Sequence, residues 1–223
     1  MPVVRRTIAT LALLASCELK GDGVPAEVVR EVPPLHAIEV FDDFEVEVKV
    51  RPELDPEADV TLRVTGEANA LGRLFTEVHG DGLLSIAVNP NLRTELTSKP
   101  TVTLEVPALR SVFATDRAVV RVIGASEALA IEAELASVVE ATGLTEVVAD
   151  VVARDASSVT LAGAGPEVRI FASDMAHVDA SALTAERAHV TVEGESATVA
   201  VCTGAMAPVI VGEAAQVTVA CEM

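Results

Sequence analysis

Val120, Val139, Val159, Val178, Val199 and Val217 recur at intervals of 18 to 21 residues, each at the centre of a segment with the same register. In a strand, residues two apart share a face. Two positions before the anchors stand Ala118, Ser137, Ser157, Ala176, Ala197 and Ala215, all small, and two positions after stand Val122, Ala141, Leu161, Ala180, Val201 and Val219. The intervening column reads Arg121, Glu140, Thr160, Asp179, Ala200 and Thr218. One face of each segment is dry and the other mostly wet. None of these eighteen inward positions is charged, in a chain that is 22% charged, so composition alone does not account for the pattern.

A period of about 19 residues in an all-strand pattern specifies stacked coils. It is too short for helical repeats of about 33 residues or more, and the Leu-x-x-Leu-x-Leu signature of leucine-rich repeats is missing. The expected fold is all-β: a single-stranded parallel β-helix in which each coil buries its apolar row only against its neighbours. Its hand is expected to be right, following the strong preference of parallel crossovers. Gly124, Gly143 and Gly163 fall four residues after an anchor and Gly204 five after, where turns of positive φ would use them. A second column is read as Leu129, Val148 and Val168, with the difficulty that Asp150 then falls where Ile131 and Ile170 point inward.

The front part, residues 34 to 107, alternates cleanly in Phe44 to Val50, Val60 to Val64, Leu84 to Val88 and Val102 to Val106, the pattern of half-buried strands. Asp81-Gly82 marks a turn, and 51–56 and 89–100 read as loops. Residues 68–78, with Leu71, Leu74, Phe75 and Val78, support one or two helical turns. Stepping back 18 residues from Val120 reaches Val102, and another 18 reaches Leu84. Two readings follow for this portion. Either the solenoid begins before the clear repeats, or a mixed or antiparallel cap precedes the coils of 108–223.

Residues 1–16 have the layout of a secretory signal: Arg5 and Arg6, an apolar run from Ile8 to Ala15, then Ser16. That run is too short to cross a bilayer, which needs about 20 residues. Leu14-Ala15-Ser16-Cys17 resembles a bacterial lipobox, which implies cleavage before Cys17 and acylation of its thiol. Acyl chains would hold the protein at a membrane without a spanning segment, and residues 17–33, with Gly21, Gly23, Pro25 and Pro33, would serve as a tether. Cys202 and Cys221 then remain as a pair 19 residues apart, one coil of the solenoid. Strands on adjacent coils lie within disulfide range, so a C-terminal staple is expected in an oxidising compartment.

Charge restricts the partners. The chain carries −18, and loss of Arg5 and Arg6 with the signal takes it to −20, which excludes nucleic acid as a plausible ligand. With no Trp, no Tyr and five Phe, little is available for stacking on sugars or bases. Four residues before the anchors stand Asp116, Leu135, Asp155, Asp174, Glu195 and Glu213. Neighbouring carboxylates on rungs about 4.8 Å apart repel by about 1 kcal/mol even in water. Asp155, Asp174, Glu195 and Glu213 could ligate divalent cations such as calcium; the plainer reading is a solvated turn whose side chains cap local amides.

Enzyme signatures are missing: no Gly-x-Ser-x-Gly, His-Glu-x-x-His, P-loop or dinucleotide fingerprint occurs. His177 beside Asp179 on one strand face is a pair that could serve as general acid and base; the plainer reading is an inert surface pair, and carboxylate pairs abound in a chain with 34 acids. No catalytic residue is assigned.

Pro34-Leu35-His36-Ala37-Ile38-Glu39-Val40, Val60 to Val64, Leu83-Leu84-Ser85-Ile86, Val102-Thr103-Leu104-Glu105-Val106-Pro107-Ala108-Leu109 and the repeated Ala/Ser-x-Val coils together resemble the auto-transporter adhesin head GIN domain family, over about residues 34 to 221. The resemblance implies a β-helical fold and a surface or envelope location, and supplies no catalytic residues. The family's Ser-Gly-Ala-Gly coil signature is replaced here by Asp116-Arg117-Ala118-Val119 and Asp155-Ala156-Ser157-Ser158, which removes the glycines from the turn. The function expected is a non-catalytic, lipid-anchored envelope protein, either structural or an adhesion-type binding module. Its partners would be the membrane, through the anchor, and a protein or envelope component. A cation-dependent binding protein and a carbohydrate-active β-helix enzyme are the alternatives.

Overall fold

The structure, a computed structural model, describes residues 18–88, 93–124, 128–194, 196–206, 210–211 and 215–219. Its strands in the first half are β1 (Glu18–Lys20), β2 (Pro25–Val32), β3 (Ala37–Val40), β4 (Glu45–Val50), β5 (Val60–Glu67), β6 (Leu74–Val78), β7 (Leu83–Val88), β8 (Arg93–Glu95) and β9 (Thr101–Val106). The second half contributes β10 (Ser111–Ala114), β11 (Val119–Ile123), β12 (Ala128–Ala133), β13 (Val138–Leu144), β14 (Val148–Ala153), β15 (Ser158–Ala172), β16 (His177–Val192), β17 (Thr198–Met206), β18 (Ile210–Val211) and β19 (Gln216–Val219).

The anchor valines stack rung over rung. Parallel pairing places Val120 on Val139, Val139 on Val159, Val159 on Val178, Val178 on Val199 and Val199 on Val217. The first five are at most 2% exposed, and their flanking small and apolar positions from Ala118 to Val201 are equally dry. A second parallel stack runs along the other side of each coil, through Ile38, Val112, Ile131, Val151, Ile170 and Val190. Inward side chains of both stacks merge into one hydrophobic core. Burying a Val or Leu side chain is worth about 1.5–3 kcal/mol, and a coil has several, but only when another coil covers them.

The second column differs from its expected register by one residue. Leu129 pairs with Ala149, not Val148, and Ala149 with Val168. The span from Val139 to Ala149 is one residue longer than those from Val120 to Leu129 and from Val159 to Val168, with inward Leu144 and Val147 flanking an outward Glu146 at φ 56°. Asp150 consequently points outward beside Arg169, at 3.2 Å.

The front part satisfies both expectations at once. Val102 does belong to the anchor column, yet Val46 lies between it and Val120: β4 pairs with β9 on one side and β11 on the other. Leu84 instead heads the second column, above Ile38. The coil made by β7 and β9 thus sits outside the coil made by β3 and β4, against chain order. A fixed 18-residue step cannot register such an insertion. Strands β5, β2 and β6 run antiparallel against this end, β5 on β9, β2 on β5 and β6 on β7, and they cover an edge that would otherwise present unpaired amides. The helical spacing at 68–78 resolves into a single 3-10 turn, Leu71–Arg73, followed by β6; Leu71 and Leu74 are buried where β6 joins the cap.

Residues of the expected tether are part of the body. β1 pairs with β8, and β2 pairs with β5 over eight residues. Strand pairing outweighs the local Gly and Pro content here.

Gly124, Gly143 and Gly163 have positive φ as expected, whereas Gly204 lies within β17 and does not. At Gly163, φ is 139° and an added Cβ would overlap the Leu144 carbonyl. Gly163→Ala should therefore lower unfolding stability by at least about 2 kcal/mol, read from denaturant midpoints. Gly80→Ala, with nothing within 4 Å of the added carbon, should be near neutral.

Candidate functional site

At one corner of four successive coils the chain reverses through two residues of left-handed φ: Asp116 and Arg117, Leu135 and Ala136, Asp155 and Ala156, Asp174 and Met175; Asp42 and Ser196, in equivalent places, also have left-handed φ. Each turn closes with an i to i+3 bond, Ala118 N to Thr115 O, Ser137 N to Glu134 O, Ser157 N to Arg154 O and Ala176 N to Ser173 O. Positive φ at both central residues is the type I′ pattern. Asp is among the few non-glycine types that tolerate it. The acidic column is therefore first a consequence of backbone conformation.

The small column beside it has the matching explanation. Ser137 and Ser157 are buried, and their hydroxyls donate to the carbonyls of Ala114 and Ala133 on the preceding rung. Further bonds run along the stack from Arg117 N to Leu135 O, Ala136 N to Asp155 O and Ala156 N to Asp174 O. The corners thus form a continuous hydrogen-bonded spine.

Between this spine and residues 95–100 lies a groove of about 1190 Å³. Asp42, Asp116, Arg117 and Asp155 line the spine side, and Glu95 and Lys99 the other. Lys99 Nζ sits 2.6 Å from Asp43 Oδ1, and Asp42 Oδ2 accepts the Val88 amide at 2.9 Å. The lining is polar and mixed in charge. It suits a polar ligand held by several weak contacts more than a single ion.

The expected cation ligands are only partly covered. Asp155 and Asp174 occupy successive corners, while Glu195 and Glu213 lie outside the described residues. Among the described residues no group of three or more His, Cys, Asp or Glu side chains could hold a metal ion. Leu135 stands between Asp116 and Asp155, which puts those two about 10 Å apart by rung spacing, too far to share an ion ligated at about 2.3–2.6 Å.

Catalytic geometry is lacking at the two places where it would be sought. His177 Nδ1 bonds Thr198 Oγ1 at 2.6 Å, while Asp179 accepts the hydroxyl and amide of Ser181 at 2.6 and 3.0 Å. The Ser181 hydroxyl and then its amide hold the Asp179 carboxyl below its ordinary value, with His177 a lesser contributor. The two side chains have separate partners. Elsewhere, Ser85 Oγ donates to Glu39 Oε1 and lies 2.8 Å from His79 Nε2. In a nucleophilic triad the imidazole takes the serine proton and the carboxylate orients the imidazole. Here the Ser85 hydroxyl donates to the carboxylate instead of to the imidazole, and Ser85 is 5% exposed.

The most tightly held carboxylate is one that alternation places on the wet side. Glu67 ends β5 and is 2% exposed. Its Oε2 accepts the Gly23 amide at 2.9 Å, and its Oε1 accepts the Thr97 amide, the Thr97 hydroxyl and the Ser98 amide at 2.5, 2.7 and 3.1 Å. The Gly23 amide first, then the Thr97 hydroxyl, hold its pKa at about 2 against the opposing effect of burial. No local signal in the sequence marks it, because its burial comes from segments remote in the chain.

Cys202 is buried and disulfide-bonded; Cys221, the expected partner, and Cys17, the expected acylation site, lie outside the described residues. No helix among the described residues is long and apolar enough to cross a membrane.

Comparison with known proteins follows the same lines. Residues 34–222 match the family model described as "Putative auto-transporter adhesin, head GIN domain". A "putative adhesin" from Bacteroides fragilis superposes with a TM-score of 0.74 at 12% identity, covering 92% of this chain and 100% of its own. A "putative lipid binding protein" from Parabacteroides distasonis gives 0.59 at 13% identity, over 91% and 99%. A "putative adhesin" from Parabacteroides merdae gives 0.56 at 13% identity, over 90% and 99%. These likenesses are of fold. No curated protein matches the sequence.

Two outcomes test the corner chemistry. Ala136→Gly and Ala156→Gly should each raise stability by roughly 0.5–1 kcal/mol, since glycine relieves a left-handed φ that costs alanine about 1–2 kcal/mol. Because the Glu67 pKa is lowered from 4.5 to about 2, its contribution should be complete above pH 4.5 and disappear as pH falls through 2. Glu67→Gln should flatten that segment of the acid stability profile.

Proposed function

The chain belongs to the "Putative auto-transporter adhesin, head GIN domain" family, and from that premise we propose that it is an exported, lipid-anchored envelope protein acting as a non-catalytic adhesion module. The observation that carries this reading is the rigid stack itself. It holds a spine of corners and a polar groove of about 1190 Å³ in fixed register, beside side chains whose hydrogen bonds are committed to one another. A pre-formed concave surface favours recognition, since little ordering entropy remains to be lost on binding. The lipobox-like Leu14-Ala15-Ser16-Cys17 supports attachment through Cys17, and the adhesin descriptions of the family and of similar folds support the adhesive role.

Partners of this chemistry are polar envelope components carrying both donors and cationic groups, matched to a groove in which Asp42, Asp116 and Asp155 line the spine side. The body's strong negative charge disfavours polyanions.

In cell fractionation, Cys17→Ser should move the protein from membranes to the soluble fraction. Cells displaying the wild-type chain should be retained on an immobilised envelope preparation more than cells lacking it. Asp116→Asn with Asp155→Asn, which keeps side chains that tolerate the left-handed φ, should lower retention about fivefold, equivalent to about 1 kcal/mol, with little change in the thermal midpoint. Equal retention of cells with and without the protein would refute the adhesive role.

A further inference from the structure

Strand β1 begins at Glu18, the residue after Cys17, and every stretch from there to Val32 is tied to the body. β1 pairs with β8 through Glu18 and Arg93, Leu19 and Thr94, Lys20 and Glu95. Gly21 N then donates to Glu95 O, Asn69 Nδ2 to Lys20 O, and Ala68 N to Val24 O. β2 follows at Pro25 and pairs with β5 to Val32. These residues precede the stretch matched by the family model, which starts at 34.

One side chain ties β1 and β8 together at their C-terminal ends, which lie side by side because the pair is parallel. Gly23, just beyond β1, and Thr97 and Ser98, just beyond β8, all donate to the Glu67 carboxylate. A two-stranded pair of three residues is marginal on its own. The buried carboxylate supplies what that pair lacks, and its loss would leave four donors without their partner.

We propose that residues 18–24 are a strap, locked by Glu67, that seats the folded body directly on the bilayer instead of letting it swing on a tether. This rests on the anchor reading at Cys17. With the strap closed there is no free residue between the acylated Cys17 and β1, so the rim built from β1, β8 and residues 95–100, one wall of the corner groove, lies at the level of the lipid headgroups. With it open, residues 18–24 become free chain up to β2, enough to span about 25 Å. The charge of −20 left after loss of the signal would then carry the body away from an anionic surface. The partner of this rim is therefore the bilayer, and Glu67 acts as a positioning residue.

The test uses the full lipidated chain in vesicles of phosphatidylethanolamine and phosphatidylglycerol. Limited trypsin should leave the peptide bond after Lys20 intact in the wild type, and should cut Glu67→Gln there at least tenfold faster, shedding a folded body into solution. A fluorophore at Asp116→Cys should transfer energy to headgroup-labelled lipid in the wild type, and markedly less in Glu67→Gln. Thr97→Val, which removes one of the four bonds, should fall between the two and covers the case in which Glu67→Gln does not fold. The same digestion of unlipidated Cys17→Ser protein reads the strap without the membrane, and flotation of undigested wild type reads the anchor without the strap. Rapid cutting after Lys20 in both wild type and Cys17→Ser overturns the strap. Flotation with equally weak transfer in wild type and Glu67→Gln overturns the seating. Failure of the wild type to float overturns the seating together with the anchor reading, and protection in Cys17→Ser then marks the strap as an internal clamp.

Discussion

Rung-over-rung registry is the constraint on which this molecule depends. A single coil cannot shield its own valines, so Val120, Val139, Val159 and Val178 become an interior only when parallel pairing aligns them within one column. The corners enforce that alignment. Two left-handed residues per coil cost about 1–2 kcal/mol each, and the coil tolerates them because it buries several side chains worth about 1.5–3 kcal/mol apiece.

That balance explains the composition of the corner. Asp recurs at Asp42, Asp116, Asp155 and Asp174 where φ is 52–61°, and the position two before each anchor must be small because its side chain sits against the preceding rung. Ser137 and Ser157 use the tight space to bond a carbonyl there. Without the glycines of the Ser-Gly-Ala-Gly coil signature the backbone still takes a left-handed pair at these corners, with Arg117, Ala136, Ala156 and Met175 as the second residue. Part of the chain's acidity is likewise local in meaning. Arg121 reaches Glu45 and Glu140, Arg154 reaches Glu132 and Glu134, and Arg169 reaches Asp150 and Glu167. These are exposed ladders, each worth little, that relieve repulsion between stacked outward columns.

The groove and the strap both arise where the solenoid meets its cap. Residues 95–100 bring one wall of the groove against the corner spine, and Glu67 fastens those residues to the stretch after β1. The groove and the first described residues after Cys17 are thus neighbours. In the proposed function, orientation on the membrane and exposure of the groove are therefore one structural question.

Much of this was legible from residues alone. Alternation with a recurring small position specified the strands, their inward faces and the coil repeat, because side-chain direction in a strand follows from covalent geometry and each coil repeats the same local problem. The corner acids were legible as turn residues, though not as left-handed pairs. What alternation could not convey was anything set by contacts between distant segments: the insertion of β4 between β9 and β11, the one-residue shift at Ala149, the pairing that orders residues 18–32, and the burial of Glu67 at a position that reads as outward. Local pattern determines which face of a strand seeks a partner. Which strand becomes that partner is decided only when the whole chain competes for the same edges, and this competition placed the groove and the carboxylate lock.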